Sequence, residues 1–135
     1  MSGKGTESNP WTLSTPSGKG EYQAWLEPEA DPPVVKVQVG KTWLTYRMEA
    51  LDDLLAMLKK RGDWMVLGSA DEQKDPKPDT VEAWGRSKKN PVGGWYGLRK
   101  GYRGRFANYV TPILVMRGEV ELEKQGRSMA VRAKS

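Results

Sequence analysis

The sequence contains neither cysteine nor histidine. Without cysteine the chain can form no disulfide, no thiolate metal site and no thiol nucleophile. Without histidine it lacks the commonest metal ligand and the usual acid–base group near neutral pH. These absences exclude a serine–histidine–aspartate triad, ordinary zinc sites and most proton-shuttle chemistry. The composition therefore predicts a protein without a metal or a cofactor.

Long hydrophobic runs are also missing, and no apolar stretch is long enough to span a membrane. Residues 1–5 lack the apolar segment of a secretory signal. We therefore expect a cytoplasmic protein with no membrane partner. Small and polar residues predict a disordered N-terminus over residues 1–9, and the length of 135 residues predicts a single domain over 10–133.

Acidic charge is in the minority, and phenylalanine is nearly absent. The formal net charge is +5, which suits an anionic partner. Six tryptophans and five tyrosines stand against one phenylalanine. Because their rings carry a polar atom, tryptophan and tyrosine often lie where a core meets water or a ligand. The composition thus favours a half-exposed aromatic surface.

Hydrophobic periodicity predicts an antiparallel hairpin followed by a helix. Residues 34–39 alternate apolar and polar, Gly40 and Lys41 form a two-residue turn, and residues 42–48 return. This register pairs Val39 with Thr42, Val37 with Leu44 and Val35 with Tyr46. Over residues 49–61 leucines recur at helical spacing, acidic residues precede basic ones, and Gly62 marks the end.

The remaining pattern predicts two more hairpins and further helices. A first, looser hairpin covers residues 11–25, and residues 64–67 form a short apolar segment that is either a strand or a tail packed under the helix. Asp79 is expected to cap a short helix, with Glu82 as its capping-box partner. Pro112 indicates either one kinked helix or two short ones ending at Arg117.

The last hairpin is predicted to turn at residues 125–126, which pairs Leu122 with Met129, Val120 with Val131 and Glu119 with Arg132. The fold class is therefore α+β, with antiparallel hairpins and three to four helices. Its C-terminal end is a helix followed by a wing-like hairpin.

A basic stretch over residues 86–105 gives the main functional signal. It contains seven lysines or arginines, five glycines and three aromatic residues, and no aspartate or glutamate. Arginine and lysine contact phosphates, and tryptophan and tyrosine stack on bases. The stretch therefore favours non-catalytic binding of DNA or RNA, with Arg127 in the last turn as an accessory contact. The candidate residues in the stretch are Trp95, Tyr96, Arg99, Lys100, Arg103 and Arg105.

Three alternatives stay open. The glycines and aromatic residues of the stretch could serve the fold alone, with solvated charges. A protein-interaction module would use exposed rings such as Trp43 or Trp95. A small enzyme would use carboxylates, for which the candidates are Asp52, Asp53, Asp71, Glu72, Asp79 and Glu82. Gly40-Lys41-Thr42 is not a phosphate-binding loop, because Val35 stands where the motif needs glycine.

The C-terminal half resembles winged-helix DNA-binding domains. The order of a helix at 49–61, a short helix near 80–86, a helix ending at Arg117 and a final hairpin matches theirs. The resemblance is carried by Thr111-Pro112-Ile113-Leu114-Val115-Met116-Arg117-Gly118-Glu119-Val120-Glu121 and by Gly126-Arg127-Ser128. It implies a helix that enters the major groove and a wing tip that touches the DNA backbone or the minor groove.

The chain also resembles a family of small bacterial proteins classed as a domain of unknown function. The resemblance spans residues 11–133 and implies a bacterial, single-domain protein, with no activity to transfer. It is carried by four segments, Val39-Gly40-Lys41-Thr42, Gly62-Asp63-Trp64-Met65, Leu67-Gly68-Ser69-Ala70-Asp71-Glu72-Gln73-Lys74 and Asn90-Pro91-Val92-Gly93-Gly94-Trp95-Tyr96-Gly97-Leu98.

Overall fold

A computed structural model describes residues 3–68, 70, 73–98 and 105–134 of the chain. Seven strands and three helices lie in these ranges, which confirms the predicted α+β class. In chain order they are β1 (Trp11–Ser14), β2 (Glu21–Glu27), β3 (Val34–Val39), β4 (Thr42–Arg47), α1 (Glu49–Arg61), β5 (Met65–Val66), α2 (Val81–Trp84), α3 (Phe106–Met116), β6 (Val120–Gln125) and β7 (Ser128–Ala133).

The first four strands form an antiparallel sheet in the order β1-β2-β3-β4. The predicted register of β3 and β4 is confirmed at each pair, including Val37 with Leu44 and Val35 with Tyr46. These four side chains are buried, because the alternation places every second residue on the core face. Beyond β4, Tyr46 forms a bridge with Gly97.

That bridge is held by two further backbone bonds. The Arg47 N–H donates to the Tyr96 carbonyl at 2.9 Å, and the Leu98 N–H donates to the Thr45 carbonyl at 2.9 Å. Residues 96–98 therefore lie along the outer edge of β4.

The N-terminal residues 3–9, expected from composition to be disordered, are folded against this sheet. The Lys4 N–H donates to the Asn9 carbonyl at 2.9 Å, and the Leu26 N–H donates to the Gly5 carbonyl at 2.9 Å. A side chain at residue 5 would collide with the Trp11 ring at 2.3 Å, so the close approach requires glycine.

Helix α1 follows the predicted pattern. Leu51, Leu54 and Leu58 are buried, and Gly62 ends the helix in the left-handed conformation. No helix in the described ranges is both long enough and apolar enough to cross a membrane.

The second sheet has the order β5-β7-β6. The predicted hairpin is present, but the predicted register is wrong by two residues. Leu122 pairs with Val131 and Glu121 with Arg132, because residues 126–127 form the turn and Gly126 has φ 64°. The same side chains still face the core, since a slip of two residues preserves the alternation.

Helix α2 has a different cap from the one predicted. The Thr80 hydroxyl accepts a hydrogen bond from the Ala83 N–H at 3.1 Å, so Thr80 and not Asp79 is the N-cap. Asp79 instead has φ 60° and pairs with Arg61 at 2.7 Å.

Helix α3 is one continuous helix with Pro112 inside it. It contacts α1, α2, β6 and β1, and therefore lies between the two sheets. The winged-helix resemblance is not supported, because a helix that reads DNA needs one accessible polar face. Most of α3 is buried instead, at Phe106, Ala107, Val110, Thr111, Pro112, Ile113 and Leu114.

Candidate nucleic-acid interface

A groove of about 500 Å³ opens between four distant segments of the chain. They are the β1–β2 turn, the segment after β5, the start of α3 and the β6–β7 turn. The apolar lining residues Val66, Leu67 and Met129 are buried or half-buried. Four exposed cations also line the groove, so apolar surface lies at its bottom and positive charge at its opening. The cations are Lys74, Lys77, Arg105 and Arg127.

Positive charge dominates this groove. Asp75 is the single acidic residue among its described lining residues. Within the part of the chain that the structure describes, none of the four cations forms an ion pair. Like charges gathered around one concavity raise its positive potential, which favours an anionic ligand. Asn108, Ser17 and Ser128 add polar groups to the same walls.

The groove is braced by a buried carboxylate. Glu82 is 1% exposed. It accepts hydrogen bonds from the Phe106 N–H at 3.2 Å, the Ala107 N–H at 3.0 Å and the Arg86 Nε at 2.9 Å. Its Oε1 and Oε2 thus satisfy two free amides at the start of α3. Because Glu82 occupies that helix end, an anion in the groove must rely on side-chain cations.

Arg86 extends the brace to the opposite wall. Its guanidinium donates to the Lys74 carbonyl at 2.8 Å and to the Ala70 carbonyl at 3.1 Å. It also lies 4.5 Å from the centre of the Trp95 ring. Glu82 holds the start of α3 next to Arg105, and Arg86 holds the loop that carries Lys74. The ion pair between Glu82 and Arg86 therefore fixes both walls of the groove.

Burial raises the pKa of the Glu82 carboxyl above its ordinary value, and the Ala107 amide and Arg86 oppose that increase. The hydrogen bonds from three donors replace the hydration that the carboxylate loses on burial. This environment is that of a structural carboxylate, held by its neighbours away from the groove opening.

The predicted site residues separate into three groups. Arg105 and Arg127 come together on the groove although they are far apart in the sequence. Arg99, Lys100 and Arg103 lie outside the described residues.

The two aromatic candidates lie elsewhere. Trp95 is half-buried under Arg86. Tyr96 is fully buried, with its hydroxyl donating to Asp53 at 2.9 Å and its ring packed against those of Trp84 and Phe106. The Tyr96 ring is therefore not available to stack on a base.

Two lysines of the groove, Lys74 and Lys77, were not among the predicted site residues. Their signal in the sequence is the run Lys74-Asp75-Pro76-Lys77-Pro78, whose composition indicates a polar loop. No local sequence pattern predicts that this loop lies near the β6–β7 turn. The Arg86 bonds that hold this loop join residues 12 and 16 positions apart.

Gly93 and Gly94 of the basic stretch serve the fold. The buried Asn90 side chain donates to the Trp84 and Gly94 carbonyls at 2.8 Å and accepts from the Val92 and Gly94 amides at 3.1 Å. Gly93 lies in this loop at φ 77°, a conformation that favours glycine. These contacts agree with the alternative in which the glycines of the basic stretch serve the fold.

Three of the candidate carboxylates have structural partners, and Asp52 is exposed on α1. Asp79 pairs with Arg61, Asp53 accepts from Tyr96, and Glu82 binds α3. Asp71 and Glu72 lie outside the described residues. Among the residues that the structure describes, no three acidic side chains are grouped to hold a metal ion. Trp43, the candidate for a protein contact, is 44% exposed and packs edge-on against Trp25.

The fold and the groove define a small α+β protein with two antiparallel sheets joined by a buried helix and a cationic cleft beside it. A family model matches residues 3–134, and the chain belongs to that family, described as "Family of unknown function (DUF6855)". The predicted resemblance to a domain of unknown function is thereby confirmed. No curated protein and no solved structure is significantly similar to the chain.

Proposed function

We propose that the protein binds nucleic acid non-catalytically, with the groove as the contact surface. The observation that carries the proposal is the convergence of Lys74, Lys77, Arg105 and Arg127 on one concavity. Each is exposed and has no ion-pair partner in the described part of the chain. Phosphates are the ligand that such a cluster suits, because each cation can neutralise one phosphate and release counterions.

The proposal predicts a salt-dependent affinity. Four phosphate contacts give a slope of about −3 in a plot of the logarithm of the association constant against that of salt concentration. Removing two contacts in Arg105→Ala/Arg127→Ala reduces the magnitude of this slope by about 1.5. Fluorescence anisotropy with labelled oligonucleotides across a salt series measures both values.

A matched control removes the same charge elsewhere. Lys41→Ala/Lys60→Ala also deletes two exposed cations, and both lie away from the groove. It is expected to retain most of the affinity and the slope of the wild-type protein. Equal losses in the two double variants, or no binding at low salt, would refute the groove as the contact surface.

A further inference from the structure

We infer that the groove takes an unpaired strand, with a base on the apolar bottom and its flanking phosphates on Arg105 and Arg127. This inference rests on the proposed function and names the form of nucleic acid. It is carried by the shape of the groove, the chemistry of its bottom and the backbone bonds that hold it.

The shape argues against a paired duplex. Proteins that read a duplex insert a protruding helix or strand ribbon into one of its grooves. Here α3 is covered on most of its surface, and Arg105 and Arg127 line a concavity. A duplex keeps its bases stacked inside, so it would leave the apolar bottom empty. An unpaired base can enter a concavity and be enclosed.

The bottom has the chemistry of a base-binding surface. Leu67 and Val66 offer aliphatic contact, and the Met129 thioether is a polarizable partner for an aromatic ring. Asn108 and Ser128 supply donors and acceptors for a base edge. The volume of about 500 Å³ lies within the range of sites that enclose small organic molecules.

The bottom is also preformed. The Leu67 N–H donates to the Met129 carbonyl at 2.9 Å, and the Leu67 carbonyl accepts from the Glu82 N–H at 2.9 Å. Leu67 is thus fixed on one side to β7 and on the other to α2. Because Glu82 also holds the start of α3, the bottom and the Arg105 wall share one rigid support. A preformed site loses little entropy when a base binds.

The experiment compares single strands with duplex on the same protein. Anisotropy titrations use labelled oligo-dT, oligo-U and a mixed-sequence single strand, together with the blunt duplex of that mixed sequence. At equal salt we expect the single strands to bind about ten-fold more tightly than the duplex, the difference that one enclosed base can supply. Binding of either sugar type as a single strand supports the inference.

Two variants test the bottom separately from the cations. Met129→Gln places a polar group of similar length in the bottom, and Asn108→Ala removes a polar partner from the half-buried start of α3. Both are expected to weaken single-strand binding several-fold with an unchanged salt slope, because no cation is lost. Thermal melts confirm that each variant is folded. If Met129→Gln does not fold, Asn108→Ala still tests the contribution of the groove bottom.

The outcomes distinguish the two levels of the proposal. Duplex binding as tight as single-strand binding, lost in Arg105→Ala/Arg127→Ala, overturns the inference and leaves the proposed function standing. Failure of every oligonucleotide to bind at low salt overturns both. Displacement of the single strand by poly-glutamate at equal charge concentration also overturns the inference, since it makes the groove a general polyanion site.

Discussion

Glu82 is a single carboxylate that serves three donors. It binds the amides of Phe106 and Ala107 and the Arg86 guanidinium, whose side chain is 10% exposed. Its position in the sequence predicts a capping role within its own helix. In the structure Glu82 instead caps the start of α3, 24 residues further along the chain. No local sequence pattern indicates this role. A cap that joins distant elements depends on the fold and not on neighbouring residues.

Replacing Glu82 tests this role at the residue scale. Glu82→Ala removes the carboxylate that neutralises the buried Arg86 and leaves two α3 amides without that acceptor. It should lower the free energy of unfolding by roughly 3–5 kcal/mol at neutral pH. Glu82→Gln should cost less, because one amide oxygen remains and because burial already disfavours the charge. Urea denaturation followed by circular dichroism measures both.

The control is the exposed pair of Arg132 and Glu121. Glu121→Ala should change the free energy of unfolding by no more than about 1 kcal/mol, since exposed ion pairs contribute little. If Glu82→Ala were as mild as Glu121→Ala, the buried pair would not brace the groove.

The burial of Tyr96 does not follow from its neighbours in the sequence. Basic and glycine-rich neighbours favour a surface position, and tyrosine is compatible with both surface and core. What buries Tyr96 is contact with Trp84 and Phe106, which come from α2 and α3. Arg105 and Arg127 could be predicted as exposed cations, because charge alone keeps such side chains near water.

At the element scale, the loop over residues 90–98 depends on Asn90. Its side chain bonds the backbone at Trp84, Val92 and Gly94, and the loop then continues along β4. These bonds hold residues 90–95 in place, although this part of the loop forms neither a helix nor a strand.

Asn90→Ala should therefore loosen that loop. The variant removes the Asn90 side chain as a partner of two carbonyls and two amides, and we expect a loss of roughly 2–3 kcal/mol in the free energy of unfolding. Hydrogen exchange followed by mass spectrometry should show faster exchange at residues 92–98 and little change in α1. Unchanged exchange at residues 92–98 would mean that other contacts hold the loop.

The hairpins show how far pattern predicts an element. The register of β3 and β4 was correct because Gly40 supplied an unambiguous turn. The register of β6 and β7 was wrong because turns at 125–126 and 126–127 both use Gly126. Alternation cannot separate registers that differ by two residues, since both bury the same side chains. Helix α1 was predictable to the residue, because leucine spacing, charge order and Gly62 agree.

At the scale of the whole molecule, α3 joins the two sheets. The Tyr22 hydroxyl on β2 donates to the Tyr109 carbonyl at 2.9 Å, and the two rings meet edge to face with centres 5.1 Å apart. Ile113 belongs to the same hydrophobic cluster as Leu54 and Val131. The groove could not be predicted from sequence, because its walls come from four segments that only this packing brings together.

Two carboxylates with opposite pKa shifts contribute to the pH dependence of stability in the acidic range. Burial raises the pKa of Glu82, so its contribution to the free energy of unfolding is largest at low pH and falls as pH rises towards its folded-state pKa. The hydrogen bond and charge of Arg61 lower the pKa of Asp79. The Asp79 contribution is therefore present above its unfolded-state pKa and is lost as pH falls through its folded-state pKa.

Two variants separate these contributions. As pH rises from the unfolded-state pKa of glutamate towards the higher folded-state pKa of Glu82, the stability of Glu82→Gln should improve relative to the wild-type protein. Over the lower part of the acidic range, Asp79→Asn should lose stability relative to the wild-type protein as pH rises, and asparagine tolerates the φ of 60° at this position. Urea denaturation at a series of pH values gives both differences. The same sign for the two variants would contradict the assigned shifts.

The backbone bonds between residues 96–98 and β4 bear on solubility. A strand with unpaired amides and carbonyls is a template on which another chain can add a strand and begin an aggregate. Strand β4 carries the exposed ring of Trp43, which would strengthen such an association. Residues 96–98 occupy the Thr45 carbonyl and the Arg47 amide, so a second molecule finds these two groups already taken. Residues 96–98 thus shield these two groups at the edge of β4 from pairing with a second molecule.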